Sequence, residues 1–221
     1  FQRIQGASPY QSPTDMGVNM AGFAIVDDAV CQEASRMEIL RRYYAGMVDR
    51  VRGKCDDDVV RKLEIIMQQA GVTPDICPAV AACLKKAEET AAPAGAMVLP
   101  DGRVVTGKTS DLLGASSALL LNALKKLAGM RDSLHLISPV VLDPIQHLKV
   151  DHLGNRNPRL HTDETLMSIC AATNPMAELA MEQLDKLRGC EVHSSVILSP
   201  VDEKTFKRLG VNLTCEPRYK G

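Results

Sequence analysis

The densest concentration of chemically capable side chains lies in 151-DHLGNRNPRLHTDE-164, where two histidines, two arginines, two asparagines and three acids fall within fourteen residues. A purely structural connection needs far fewer charges, so this composition marks a loop suited to touching a ligand. Arg156 and Arg159 carry the planar fork that clamps a phosphate or a carboxylate, with His152 and Asn155 beside them as further binding groups. His161 is placed to transfer a proton, with Asp163 to orient its ring. The same residues also suit a structural reading in which Asn155 and Asn157 make turns, Thr162 caps the following helix and the arginines bridge elements.

A second stretch, 102-GRVVTGKT-109, spells the G-x-x-x-x-G-K-T pattern of a phosphate loop. Its context argues against that reading. Pro100-Asp101-Gly102 is a turn signal between the β-prone runs 96–99 and 103–107, so the first glycine of the pattern is expected to turn a hairpin. A phosphate loop needs its glycines after the strand, where successive N–H groups converge on the anion, and no later strand ends in the aspartate that would hold magnesium. What survives is weaker: Lys108, Thr109, Ser110 and Asp111 stand where strand is expected to give way to helix, and helix N-termini attract anions. Simple capping by Thr109 or Ser110 accounts for the same residues.

Other chemistries find less support. His147 and His152 are five apart, not the four that shares a helix face, and no cysteine pair has zinc-finger spacing, so no metal site is expected. There is no G-x-S-x-G elbow for a serine nucleophile, and Cys170 and Cys190 have no histidine that sequence can assign to them. The seven cysteines contain no C-x-x-C, and the expectation is reduced, mostly buried thiols in a cytoplasmic protein.

The bulk numbers narrow the partners. A formal charge of -1, aromatics at 3% and the lack of tryptophan give neither a basic footprint nor a stacking platform, so nucleic acid is not an expected partner. No apolar run reaches the ~18 residues of a membrane helix, so no membrane association is expected. The hydrophobic content of 45% with 24% charged residues predicts an ordinary buried core. The first residue is Phe1, and the chain is expected to be a piece of a longer protein.

The elements that must position these residues follow from periodicity. Residues 1–26 read as a loop leading into a helix over 29–52 with an apolar stripe at Val30, Ala34, Met37, Leu40, Tyr44, Met47 and Val51. A second helix covers 56–71, its three aspartates at the positive end of the dipole, and a third covers 76–91 before the break 91-AAPAG-95. These make a helical subdomain over 1–93. Residues 94–221 predict an α/β subdomain: the hairpin, a buried central helix over 111–129, a strand over 134–138, helices, a strand over 191–198, a helix opened by the capping box 199–202, and a strand over 211–216. The predicted fold class is α/β, a helical subdomain followed by a three-layer subdomain with a mixed, roughly five-stranded sheet.

Five stretches, 8-SPYQSPTDMGVNMAGFAIVDD-28, 38-EILRRYY-44, 99-LPDGRVVTGKTSDLLGASSALLLNALKKLAG-129, 151-DHLGNRNPRLHTDE-164 and 188-RGCEVHSSVILS-199, resemble the C-terminal half of the bacterial domain-of-unknown-function family 1846, also grouped as uncharacterised protein family 0371. The resemblance runs almost end to end. It implies an upstream half with its own glycine-rich segment and a homo-oligomer, and it brings no established activity. More distantly, a hairpin followed by a helix with Gly-Ala-Ser is similar to the opening of the cytidine-deaminase fold. Here Ser117-Ala118-Leu119 and Ser138-Pro139-Val140-Val141 stand where that fold carries its zinc ligands and its glutamate, so the topology is expected without the zinc chemistry. The functional expectation is the C-terminal half of an enzyme binding a nucleotide or other phosphorylated small molecule, with no cofactor specified. The alternative is a non-catalytic scaffold and oligomerisation module.

Overall fold

The computed structural model describes residues 28–171 and 174–219. The loop expected over 1–26 lies outside them. The chain separates into two compact units, Phe1–Ile76 and Cys77–Gly221.

In the first unit, α1 (Asp28–Val51) and α2 (Asp57–Gln69) pack against each other. The expected stripe on α1 is buried in its middle, at Leu40 and Tyr44, while Val30 and Val51 near the ends are exposed. Asp56 is the N-cap of α2, with Asp57 and Asp58 in the first turn, which is the favourable end of the helix dipole for carboxylates.

The second unit opens with α3 (Pro78–Thr90), β1 (Ala94–Val98) and β2 (Val104–Lys108). Sequence placed α3 with the helical part; it packs on β1, β2 and β3 of the sheet. Gly102 turns the hairpin at φ 80°, the left-handed conformation that a side chain disfavours. The buried helix α4 (Ala115–Leu127) follows, then α5 (Pro139–His147) running on into one π-helical turn (Leu148–His152), α6 (Thr162–Ala171), α7 (Pro175–Met181), β3 (Glu191–Ser194), α8 (Pro200–Leu209) and β4 (Asn212–Cys215). The N-cap half of the expected capping box forms, Ser199 Oγ accepting the Asp202 amide at 3.2 Å, while the Asp202 carboxylate accepts the Ser199 hydroxyl at 2.8 Å.

The sheet has four strands in the order β2-β1-β3-β4. β1 is antiparallel to both neighbours, and β3 and β4 are parallel, so β2, β3 and β4 run in one direction and β1 against them. The fifth strand expected over 134–138 does not form. Lys125 Nζ, on a side chain buried in α4, donates to the Asp132 and Leu134 carbonyls at 2.7 and 3.2 Å, and Pro139 starts α5 directly afterwards. Apolar content at Leu136 and Ile137 is buried there without strand pairing.

Helices cover both faces of the sheet. Gly95 and Gly107 face each other across the β1–β2 ladder and both point at α4. A Cβ on Gly107 would collide with the Leu119 backbone, so this glycine is what lets α4 lie directly on β2. The second glycine of the apparent phosphate loop is therefore a packing glycine, as the first is a turn glycine. Neither is arranged to cradle a phosphate.

Candidate functional site

Because β2, β3 and β4 share a direction, their carboxyl ends meet at one edge of the sheet, where ligand crevices of α/β sheets form. A cleft of about 810 Å³ lies there. Its walls come from the residues just past each strand: Thr109, Ser110 and Asp111 after β2, Ser195 and Val196 after β3, and Arg218 and Tyr219 after β4. The last turn of α3 with Ala91 to Pro93, and Arg159 from the polar loop, complete it.

The wall after β2 is not the helix start that sequence suggested. Helix α4 begins at Ala115, with Gly114 as its N-cap, and the Thr109 and Ser110 amides are already donated, to Pro93 O at 2.8 Å and Leu113 O at 2.9 Å. Lys108, Thr109, Ser110 and Asp111 therefore offer no free helix amides to an anion. They form a turn, tightened by Ser110 Oγ accepting the Leu113 amide at 3.1 Å, and its last three residues line the cleft.

Two arginines dominate the cleft. Arg159 Nε donates to Ser110 O at 2.6 Å, and Arg218 Nε donates to Ser195 O at 2.8 Å. Each guanidinium is thus held by its inner nitrogen, and no described residue takes its two terminal amino groups. The turn at Ala91 is strained: it is the one non-glycine described residue with positive φ, at 48°, and it swings the chain from α3 into the cleft wall. Beneath the wall, Ser195 Oγ accepts the Ala94 amide at 2.9 Å, fixing the end of β3 to the start of β1.

The polar loop 151–164 is divided by the structure. Arg159 reaches the cleft. Lys108, His152, Asn155 and Arg156 do not line it; His152 ends the π-helical turn, and the Asn155 amide bonds Lys149 O at 3.0 Å. His161 is not oriented by Asp163, whose carboxylate accepts the Glu164 amide at 2.8 Å. Its partner is Asp202 on the first turn of α8, with Nδ1 3.3 Å from Asp202 Oδ2. Asp202 also accepts the Thr162 amide and hydroxyl at 2.9 and 3.0 Å and the Ser199 hydroxyl at 2.8 Å. The hydrogen bond that His161 donates to the Asp202 carboxylate raises the His161 pKa above its ordinary value. Burial pushes Asp202 up, but the donors from His161, Thr162 and Ser199 outweigh it and hold the carboxyl below the ordinary range.

Sequence reasoning missed three groups. Lys149 is buried and its Nζ donates to Arg159 O and to Glu164 Oε2, both at 2.7 Å, while Glu164 also accepts the His161 amide at 2.7 Å. This network fixes the backbone that carries Arg159 and His161. Its only sequence signal is a lysine inside the apolar run 148-LKV-150. Arg218 was missed because it follows the final strand, outside any cluster. The third group, His193, is fully buried between Thr214 Oγ1 at 2.8 Å and Glu216 Oε1 at 3.2 Å.

Among the described residues no three His, Cys, Asp or Glu side chains come together as a metal site, and no helix is long and apolar enough to cross a membrane. Cys77, Cys83, Cys190 and Cys215 are buried, Cys170 is exposed, and none of the seven forms a disulfide. Burial pushes the Cys83 thiol up to about 12.

These features define an α/β protein with helices on both faces of a mixed sheet and a cleft of small-molecule size at its carboxyl edge. The chain belongs to the family described as "Domain of unknown function DUF1846": the C-terminal domain matches residues 75–221 and the N-terminal domain residues 1–71. The break between the two matches falls close to the division at Ile76 and Cys77. A UPF0371 protein of Corynebacterium efficiens is 54% identical over 222 residues, covering 100% of this chain and 45% of that protein. A UPF0371 protein of Corynebacterium glutamicum is 53% identical with the same coverage, and one of Streptococcus thermophilus is 49% identical, again over 45% of its length. The chain thus spans a little under half of these relatives.

Proposed function

We propose that the cleft binds a phosphorylated small molecule and that the chain supplies this binding half to a longer enzyme. One observation carries the reading: Arg159 and Arg218 line the same cleft, each with Nε tied to a backbone carbonyl and its terminal amino groups turned to no described partner. Anchoring at Nε removes much of the side-chain freedom that anion binding would otherwise cost, and the remaining pair of N–H donors on each guanidinium matches phosphate oxygens. The position at the strands' carboxyl ends and a volume of about 810 Å³ support the same reading, being in the range of small-molecule sites.

Thermal unfolding against nucleotides, sugar phosphates and inorganic phosphates tests it. A ligand at 100 times its dissociation constant adds about 2.7 kcal/mol of stability. The shift disappears in Arg159→Ala and Arg218→Ala; if either variant retains it, the cleft is not where the ligand sits.

The hairpin, the buried α4 and the single reversed strand support a distant likeness to the cytidine-deaminase fold. A second reading, a scaffold and homo-oligomerisation module, is favoured by the apolar surface of the segment from α5 onward, where Val140 is 77% exposed and Leu153 67%. Under that reading Val140→Glu with Leu153→Glu lowers the sedimentation mass of the chain; an unchanged mass contradicts it.

A further inference from the structure

The cleft also carries two carboxylates, Glu88 from the last turn of α3 and Asp111 from the turn after β2. They are exposed, and among the described residues neither forms an ion pair, with Arg159, with Arg218 or with any other cation. Two positive and two negative groups thus line one cleft without an ion pair among the described residues. Here the arginines are held back by their Nε bonds to Ser110 O and Ser195 O, and the strained turn at Ala91 fixes the end of the helix that carries Glu88.

An inorganic anion would satisfy the arginines and be repelled by the carboxylates. A molecule that presents an anionic group at one end and hydrogen-bond donors at the other satisfies all four. Carboxylates accept from hydroxyl groups in short, charge-assisted bonds, and a pair of them selects a polyol over a simple anion. We infer that the ligand is a hydroxyl-bearing phosphate ester, its phosphate on Arg159 and Arg218 and its sugar hydroxyls on Glu88 and Asp111. This rests on the reading of the cleft as an anion site, and it adds the specificity-determining role of the two acids.

The chemistry fits a free sugar phosphate and the ribose phosphate of a nucleotide alike. Titration calorimetry of the chain with inorganic phosphate, ribose 5-phosphate and adenosine monophosphate separates the cases. Ribose 5-phosphate is expected to bind at least about tenfold more tightly than phosphate, since a single charge-assisted hydrogen bond is worth about that factor. Glu88→Gln and Asp111→Asn each weaken ribose 5-phosphate about tenfold and leave phosphate unchanged or tighter, because each removes an acceptor charge and a repulsion at once. Both side chains are exposed, so the variants are expected to fold, and their unfolding midpoints verify that.

Tighter binding of the nucleotide than of ribose 5-phosphate identifies a base contact; equal binding identifies the sugar phosphate as the whole recognised unit. Either supports the inference. It is overturned if phosphate binds as tightly as ribose 5-phosphate, or if the two acid variants affect both ligands equally. Those results would leave the anion site standing. If none of the three ligands binds, or binding survives Arg159→Ala combined with Arg218→Ala, the anion site itself fails and this inference with it.

Discussion

Arg159 Nε donates to Ser110 O at 2.6 Å, joining two residues 49 positions apart in the chain. The bond links the polar loop to the turn that ends β2, and it sets which way the guanidinium faces. Arg159→Ala should therefore abolish anion binding while changing stability by less than about 1 kcal/mol, the range of an exposed or half-exposed hydrogen bond. Arg159→Lys keeps the charge and loses the fork, and is expected to retain only weak binding, at least about tenfold down. Calorimetric titration with pyrophosphate measures both.

The close approach of β2 and α4 at Gly107 gives a prediction for folding. Gly107→Ala places a methyl group against the Leu119 backbone, which has no flexible end to give way. A loss of about 2–3 kcal/mol is expected from such overpacking, read as a lowered urea midpoint with an unchanged slope. An unchanged midpoint would mean that α4 does not lie on β2 as described.

At Ala91 the expectation has the opposite sign. A left-handed alanine at φ 48° is strained, and glycine relieves the strain while adding some unfolded-state entropy. Ala91→Gly is expected to stabilise the chain by about 0.5–1 kcal/mol. If ligand affinity falls at the same time, the strained turn helps to hold the cleft wall.

The pair His161 and Asp202 makes stability depend on pH. The folded pKa of His161 lies above its ordinary 6.5, so its contribution is full below pH 6.5 and is lost as pH rises through the raised value. The folded pKa of Asp202 lies below its ordinary 3.8, so its contribution is present above that value and is lost as pH falls through the lowered one. The wild-type chain should exceed His161→Asn in unfolding midpoint by most between about pH 4 and 6.5, with the advantage shrinking as pH rises through the raised His161 value. A difference that grows with pH would contradict the pairing.

The parts of this fold that are local in cause were legible in the sequence. Gly102 with Pro100 and Asp101 announces the hairpin, Ser199 and Asp202 announce the start of α8, and a stretch that is apolar on nearly every face up to Lys125 announces a buried helix. The strand expected over 134–138 meets a constraint outside its own residues, since the carbonyls of Leu134 and of Asp132 just before it go to Lys125 on α4. The candidate site divides in the same way. Composition singled out Arg159 and the turn 109–111, which do line the cleft, but Arg218 and Glu88 enter it only through strand order and the Ala91 turn. Asp163 is the near neighbour of His161 in sequence, whereas Asp202 lies 41 positions away and meets it because α6 and α8 pack together.

The central claim, that the carboxyl edge of the sheet is an anion site, is tested most directly by amide NMR spectra of the chain titrated with pyrophosphate. Shifts concentrated at Ser110, Asp111, Arg159, Ser195 and Arg218, saturating together, are the predicted result. Shifts confined to 152–157, or none at any of the five at millimolar ligand, would contradict it.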